Sequence, residues 1–192
     1  MNAVSSLHQS ASCQHHWQDL AVVFNRLFEC SENTILVKGD DEPIYLPADA
    51  SNPKHRIVFA HGYYASALHE IAHWCIAGKV RRLQEDYGYW YCPDGRNAQQ
   101  QSDFESVEVK PQAIEWAFSV AANKAFRVST DNLNGAQPNR QAFTAKVKQQ
   151  VEHYFAVGFP PRAQAFIDAL QAFYGTPKLA LSHFVSEFEH VF

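Results

Sequence analysis

Two histidines four residues apart, His69 and His73, are the side chains of this chain best spaced for chemistry. On a helix this spacing puts both imidazoles on one face, one turn apart, where neutral imidazoles can bind a common metal ion. Glu70 directly follows the first histidine and can reach a metal-bound water molecule as a general base. Apolar and small residues surround the motif, as in a buried helix, and unpartnered polar groups would be costly there. The pattern favours a metal site on a zincin-like HExxH helix over histidines with structural hydrogen bonds alone.

Two histidines leave such a site incomplete, so a third protein ligand must come from elsewhere. The extended metzincin motif would need a glycine and a further histidine where this chain has Ile76 and Lys79. The acidic stretch 104–111 is the best source, and we favour Glu108 as the carboxylate ligand. Glu105 and Glu115 remain open as alternatives. His61, just before the motif, is a candidate group for supporting the ligands or binding the substrate.

A shell of two histidines and one carboxylate suits two kinds of metal chemistry. Zinc in such a shell activates water for hydrolysis, which predicts a peptidase or nuclease that uses Glu70 as general base. Ferrous iron in the same shell has open positions for dioxygen and substrate, as in non-haem oxygenases. The ligand residues alone do not choose between these two metals.

Composition limits the classes of protein that this chain can represent. Its 192 residues fit one domain, and the formal charge of −4 gives no argument for binding nucleic acid or an anionic membrane. The sequence contains no C-x-x-C pair, no secretory leader pattern and no membrane-length apolar stretch. We therefore expect a cytoplasmic protein with reduced cysteines. We also expect a poorly ordered N-terminal segment, 1–12, and a single metalloenzyme domain, 13–192.

Apolar periodicity predicts which elements must position these residues. Helices are expected at 17–28, 66–84, 111–123, 140–155 and 162–174, with a weaker helical segment from Ser182 onward. The helix over 66–84 is expected to be interrupted or loosened near Gly78. Short strands are expected at 34–37 and 57–60. The acidic, proline-punctuated segment 39–47 is expected to be a loop, and 87–92 a strand or a loop. The expected fold is therefore a helix-rich α+β domain with a small β-sheet.

Four blocks of sequence, in order, closely resemble the bacterial elongation factor P hydroxylase family. They span 38–49, 61–78, 88–96 and 107–113, and the resemblance as a whole covers roughly residues 15–175. The second block contains the HExxH motif, and the fourth contains Glu108. As an ordered set, the blocks are far more specific than the metal motif alone.

This resemblance implies a cytoplasmic protein-lysine hydroxylase that acts on elongation factor P, at the lysine that already carries a β-lysyl group. The metal motif of the family maps here onto His69, His73 and Glu108. The resemblance implies a divalent metal, Fe(II), with dioxygen as cosubstrate. Typical 2-oxoglutarate oxygenases carry their ligands on strands, whereas these histidines are expected on a helix, so 2-oxoglutarate is not assumed.

Charged residues near the motifs are candidates for binding such a substrate. Asp40, Asp41 and Glu42 form an acidic loop suited to the two cationic amines of a β-lysyl-lysine side chain. Five basic residues could form a rim that docks an acidic protein substrate, with a plain solvated face as the alternative for any one of them: Lys79, Arg81, Arg82, Arg96 and Lys110. A third class of function, besides the hydroxylase and the zinc hydrolase, is a non-catalytic module that binds the elongation factor through a structural metal site. A structural zinc site needs four protein ligands, and the sequence offers no obvious fourth.

Overall fold

The computed structural model describes residues 15–87, 94–130 and 132–188. These ranges contain the helices α1 (Trp17–Phe28), α2 (Tyr64–Ile76), α3 (Ala98–Ala121), α4 (Arg140–Val157) and α5 (Pro161–Tyr174). They also contain the strands β1 (Thr34–Lys38), β2 (Ile44–Leu46) and β3 (His55–Phe59), with 3-10 turns at Arg81–Leu83 and Leu181–His183. The predicted helix-rich α+β fold with a small sheet is confirmed. The segment 1–12, predicted to be poorly ordered, lies outside the described residues.

The three strands form one sheet in which β3 is central. It runs parallel to β1, with Leu36 opposite Ile57, and antiparallel to β2, with Tyr45 opposite Ile57. The prediction of a loop at 39–47 was wrong for β2. Pro43 and Pro47 flank a strand of only three residues, whose other side carries just the bridge from Tyr45 to Asp86. Such a strand is close to a sheet edge, where proline is tolerated.

The first helix shows why the apolar pattern was sufficient there. Leu20, Phe24 and Phe28 recur on one face of α1 and are buried. Phe24 and Phe28 pack against Trp74 of α2, with ring centroids 5.2 and 4.9 Å apart. The bounds of α1 agree with the predicted helix because its apolar face meets the core along the whole length of the element.

Helix α3 is the main correction to the predicted elements. A helix beginning near Pro111 was expected, but α3 begins at Ala98 and carries Pro111 inside it. Asn97 and Gln100 form a reciprocal capping box that starts the helix earlier. An interior proline removes one backbone hydrogen bond, and burial of nearly every residue from Pro111 to Ser119 outweighs that loss.

Other boundaries differ for local reasons. The helix predicted over 66–84 ends at Ile76, and Ala77 is already extended before the separate 3-10 turn. Helices α4 and α5 agree closely with prediction. A helical segment was expected from Ser182 onward, but the described residues there form only the short 3-10 turn Leu181–His183. The predicted strand or loop at 87–92 lies almost wholly outside the described residues. Among the helices that the structure describes, none is long and apolar enough to cross a membrane.

Candidate metal centre

A tight turn between β3 and α2 starts the helix that carries both histidines. His61 and Gly62 have positive φ values of 53° and 76°, a conformation that glycine adopts freely and a histidine adopts less often. The backbone N–H of Ala60 donates to the hydroxyl of Ser66 across 3.0 Å, which fixes the turn against the first turn of α2. The next two turns of α2 then present His69 and His73 towards α3.

His69, His73 and Glu108 converge between α2 and α3. The Nε2 atoms of the two histidines lie 3.0 Å apart. The nearest Glu108 oxygens lie 3.5 Å from Nε2 of His69 and 3.2 Å from Nε2 of His73. These three residues form a group that could hold a metal ion. The structure therefore brings together the three residues predicted as metal ligands, one of them from the second helix.

The spacing of these atoms fits a single metal ion. Two ligand atoms bound about 2.1 Å from one ion lie roughly 3.0 Å apart at a right angle and roughly 3.4 Å apart at a tetrahedral angle. The three observed separations of 3.0, 3.2 and 3.5 Å are close to this interval. Two imidazole nitrogens and a carboxylate are also the donor types that divalent zinc and iron accept.

The two alternative acids have other partners. Oε2 of Glu115 lies 2.8 Å from Nδ1 of His69, on the ring edge opposite the convergent Nε2 atom. Its carboxylate accepts the Nδ1 proton and leaves Nε2 facing His73 and Glu108. Glu105 lies one turn before Glu108, where it accepts from Gln101 at 3.4 Å and from Lys146 at 3.5 Å. Neither acid belongs to the convergent group.

Gln112 is a residue of this site that the sequence reading missed. Its amide nitrogen donates to Glu108 at 3.3 Å and to the carbonyl of Ser129 at 2.8 Å, and its oxygen accepts from the N–H of Ser129 at 2.9 Å. Gln112 is fully buried, so it ties the Glu108 carboxylate to a distant backbone segment. Its position one turn after Glu108 is visible in the sequence, but the contact with Ser129 is not.

The charges of the site influence one another strongly. Burial alone would lower the pKa of His69, but attraction to Glu108 and the contact with Glu115 raise it to about 10. Burial would raise the pKa of Glu108, but attraction to His69 and the hydrogen bond from His73 lower it to about 2. Burial also raises the pKa of Glu70, beyond what attraction to both histidines offsets. Without a metal ion, His69 and Glu108 would therefore form an ion pair. Beside them, the carboxyl group of Glu70 holds its proton more strongly than an exposed glutamate does.

Glu70 and His73 line a small cleft, together with Tyr45, Ile57, Trp74, Ala77, Arg81, Arg82 and Asp86. Arg82 pairs with Glu32 at 2.7 Å, and the hydroxyl of Tyr45 donates to the carbonyl of Arg82 at 2.9 Å. These contacts fix the outer wall of the cleft. The HExxH helix forms its inner wall, so the cleft gives a ligand access to the side of α2 that carries Glu70.

Arg162 of α5 holds the end of α2 that is nearest His73. One of its terminal nitrogens lies 2.9, 3.1 and 2.7 Å from the carbonyls of Trp74, Cys75 and Ala77, and its two N–H groups are shared among these three acceptors. These are carbonyls that the end of a helix leaves without an intrahelical partner. The guanidinium also lies over the ring of Trp74, at 4.6 Å. Arg162 therefore caps the helix one turn beyond the second histidine.

The residues predicted to bind substrate lie elsewhere on the surface. Asp40, Asp41 and Glu42 are exposed between β1 and β2, and Asp40 makes an ion pair with Lys38 at 3.4 Å. His61 is exposed in the turn before α2. Among the described residues, none of these four lines the cleft beside Glu70. Their role in binding a substrate stays a prediction.

The predicted basic rim was wrong for one member. Arg96 is only 2% exposed, and it donates to Gln101 and to the carbonyl of Thr130, each at 2.9 Å. It stabilises the loop before α3 from inside the protein. Lys79 and Lys110 are exposed, while Arg81 and Arg82 line the cleft.

Comparison with known proteins gives the family. The family model described as elongation factor P hydroxylase matches residues 23–184. The chain is also similar to the elongation factor P lysine hydroxylase of Haemophilus influenzae, with 53% identity over 163 residues. That alignment covers 85% of this chain and 92% of the relative. On these matches, which include both helices of the candidate metal centre, the chain belongs to the elongation factor P hydroxylase family.

Proposed function

We propose that this chain hydroxylates the β-lysylated lysine of elongation factor P, at a non-haem metal centre held by His69, His73 and Glu108. The observation that carries the proposal is the convergence of these three donors, within 3.0 to 3.5 Å of one another, beside an accessible cleft. Family membership and the name of the Haemophilus influenzae relative support the hydroxylation of a lysine and elongation factor P as the protein substrate. We further propose that residues 13–192 act as one metalloenzyme domain, in the cytoplasm.

Bound Fe(II) would activate dioxygen for the oxidation of a lysine C–H bond. One oxygen atom would enter that bond, and the other would leave as water, with two electrons from an external reductant and two protons from solvent. The residues of the chain have distinct tasks around it. The Nδ1–H of His69 donates a hydrogen bond to Glu115, which holds the proton on Nδ1 and keeps Nε2 available as a ligand. Gln112 orients the carboxylate of Glu108. The proposal does not assume 2-oxoglutarate as the source of electrons.

The substrate side chain is long, flexible and doubly cationic, and the cleft has groups suited to it. Tyr45, Ile57 and Trp74 give the cleft apolar walls that can contact the aliphatic part of such a side chain. No hydrogen bond from the described residues reaches the carboxylate of Glu70, so this carboxylate is available for an amine of the substrate. The substrate would contact further residues outside the cleft. These are the acidic loop of Asp40, Asp41 and Glu42, and His61 in the turn before α2.

The proposal is tested by loading the purified chain with Fe(II) under anaerobic conditions, adding β-lysylated elongation factor P and a reductant such as ascorbate, and then admitting oxygen. Intact mass of the elongation factor should increase by one oxygen atom. His69→Ala and Glu108→Ala should abolish the increase, while Glu105→Gln, on the same helix as Glu108, should retain it. If the wild-type chain produces no increase and instead hydrolyses a peptide or nucleic acid when loaded with zinc, the hydroxylase proposal is wrong.

A further inference from the structure

Two large apolar side chains, Val80 and Leu83, are exposed side by side at the rim of the cleft. We propose that they form the centre of the surface on which the protein substrate docks. This inference rests on the proposed function, because it takes the substrate to be a folded protein that inserts one side chain into the cleft. The inference identifies the surface of this chain that the protein substrate covers.

The exposure of this pair is unusual for its size and position. Val80 is 73% exposed and Leu83 71% exposed. The N–H of Leu83 donates to the carbonyl of Val80 at 3.2 Å, in the 3-10 turn Arg81–Leu83 and the residue before it. Side chains three residues apart in a 3-10 turn lie one above the other. The two side chains therefore present one apolar patch to solvent, and Tyr87, which is 59% exposed, follows a few residues later.

The turn beneath this patch is held firmly by polar contacts. The side chain of Arg82 pairs with Glu32 at 2.7 Å, and its backbone carbonyl accepts a hydrogen bond from the hydroxyl of Tyr45. Asp86 pairs with Arg81, and its backbone forms a bridge with that of Tyr45. Apolar side chains that a fixed turn holds in water add little to the stability of the free protein. Because the turn is already fixed, little conformational entropy is lost when a partner covers these side chains, and this favours binding.

The position of the turn identifies the occupant. Ala77, Arg81, Arg82 and Asp86 line the cleft, so Val80 and Leu83 stand on the outside of a segment whose inside faces the bound side chain. A small molecule in the cleft would leave the patch in water. A protein that inserts a lysine side chain there must bring its own surface over the rim. The exposed Lys79, beside the patch, matches a partner surface with an apolar centre and an acidic edge.

The test is a binding measurement that does not depend on turnover. The full chain is loaded with Fe(II) under anaerobic conditions, and its affinity for β-lysylated elongation factor P is measured by biolayer interferometry. The double variant Val80→Glu/Leu83→Glu should bind at least about tenfold more weakly than the wild type, as expected for the apolar centre of an interface. The milder Val80→Ser/Leu83→Ser should fall in between. Thermal melting and iron content establish that each variant is folded.

Phe173→Glu is the matched control. Phe173 is an exposed apolar residue, at 46% exposure, in the last turn of α5, while Arg162 in the first turn contacts the end of α2. A helix of this length spans about 20 Å, so the control lies far from the cleft and should bind as the wild type does. Equal binding by all variants would overturn the docking surface. The absence of measurable binding by the wild type would also overturn it. Admitting oxygen to the same mixture then shows whether the proposed hydroxylation fails as well.

Discussion

Glu115 accepts the Nδ1 proton of His69 across 2.8 Å, and this contact fixes which nitrogen of that ring faces the candidate metal centre. The two residues belong to α3 and α2, so the contact also joins the helices that carry the three proposed ligands. A carboxylate that orients a histidine in this way supports metal binding without touching the metal. Glu115 and Glu108, seven residues apart on one helix, thus have different tasks.

The first prediction concerns this division of tasks. Glu115→Gln should keep the metal but bind it about 10- to 100-fold more weakly, because the histidine loses its charged partner. Glu108→Gln should remove a proposed ligand and weaken binding much further. Competition with a chromophoric chelator measures both affinities. Glu105→Gln is the control and should change little. If Glu115→Gln were the more damaging change of the two, Glu115 would be the ligand and the assignment of Glu108 would be wrong.

The second prediction concerns protons released on metal binding. Because the pKa of His69 is raised to about 10, this ring carries a proton at neutral pH in the metal-free protein, and only neutral imidazole binds a metal. Metal binding must therefore displace one proton at His69, so affinity should rise about tenfold per pH unit between roughly pH 7 and pH 9. Calorimetry in two buffers of different ionisation enthalpy counts the protons. No release and a flat affinity over that range would contradict the ion pair of His69 and Glu108.

The third prediction separates a hydroxylase from a hydrolase through Glu70. Under the proposed function Glu70 binds an amine of the substrate, so Glu70→Gln should retain the metal, raise KM by about tenfold and leave kcat within a few-fold. A zinc hydrolase would instead lose nearly all kcat, because Glu70 would be its general base. Steady-state kinetics with the iron-loaded and the zinc-loaded chain measure the difference. Loss of kcat with unchanged KM would favour the hydrolase.

The fourth prediction concerns the cap on the HExxH helix. Arg162→Lys keeps the positive charge, but its shorter side chain ends short of the carbonyls of α2 and has no planar guanidinium to lie over the ring of Trp74. We expect a loss of about 2 kcal/mol in the free energy of unfolding, measured by urea denaturation of the metal-free chain. Arg127→Lys, at a side chain that is 65% exposed and pairs with Glu187, is the control and should lose well under 1 kcal/mol, as exposed ion pairs contribute about that or less. Equal losses would show that the three contacts add nothing.

The sequence was informative where local pattern decides structure. The apolar face of α1 and the four-residue spacing of His69 and His73 are properties of single elements, and both predictions follow from periodicity alone. Pro111 misled the prediction of α3, since proline is usual in a first turn and the burial that sustains the longer helix is a tertiary effect. The strand β2 was missed because its pairing with β3 outweighs the local signal of two prolines.

The sequence favoured Glu108 as the ligand, but it did not identify Glu115 as the acid that supports His69, for a related reason. Glu105, Glu108 and Glu115 lie on one helix at spacings of three and seven residues, so all three lie near one face. Which of them meets the histidines depends on how α3 crosses α2. The bonds of Arg162 to the end of α2 and of Gln112 to Ser129 likewise join segments whose proximity no local pattern predicts.

The most direct test of the three-ligand centre is anomalous diffraction at the iron edge, from crystals of the chain grown with Fe(II) under anaerobic conditions. We predict one ion bound by Nε2 of His69, Nε2 of His73 and the carboxylate of Glu108, with Glu115 still on Nδ1 of His69. An ion bound without Glu108, or one that binds away from both histidines, would contradict this account of the site.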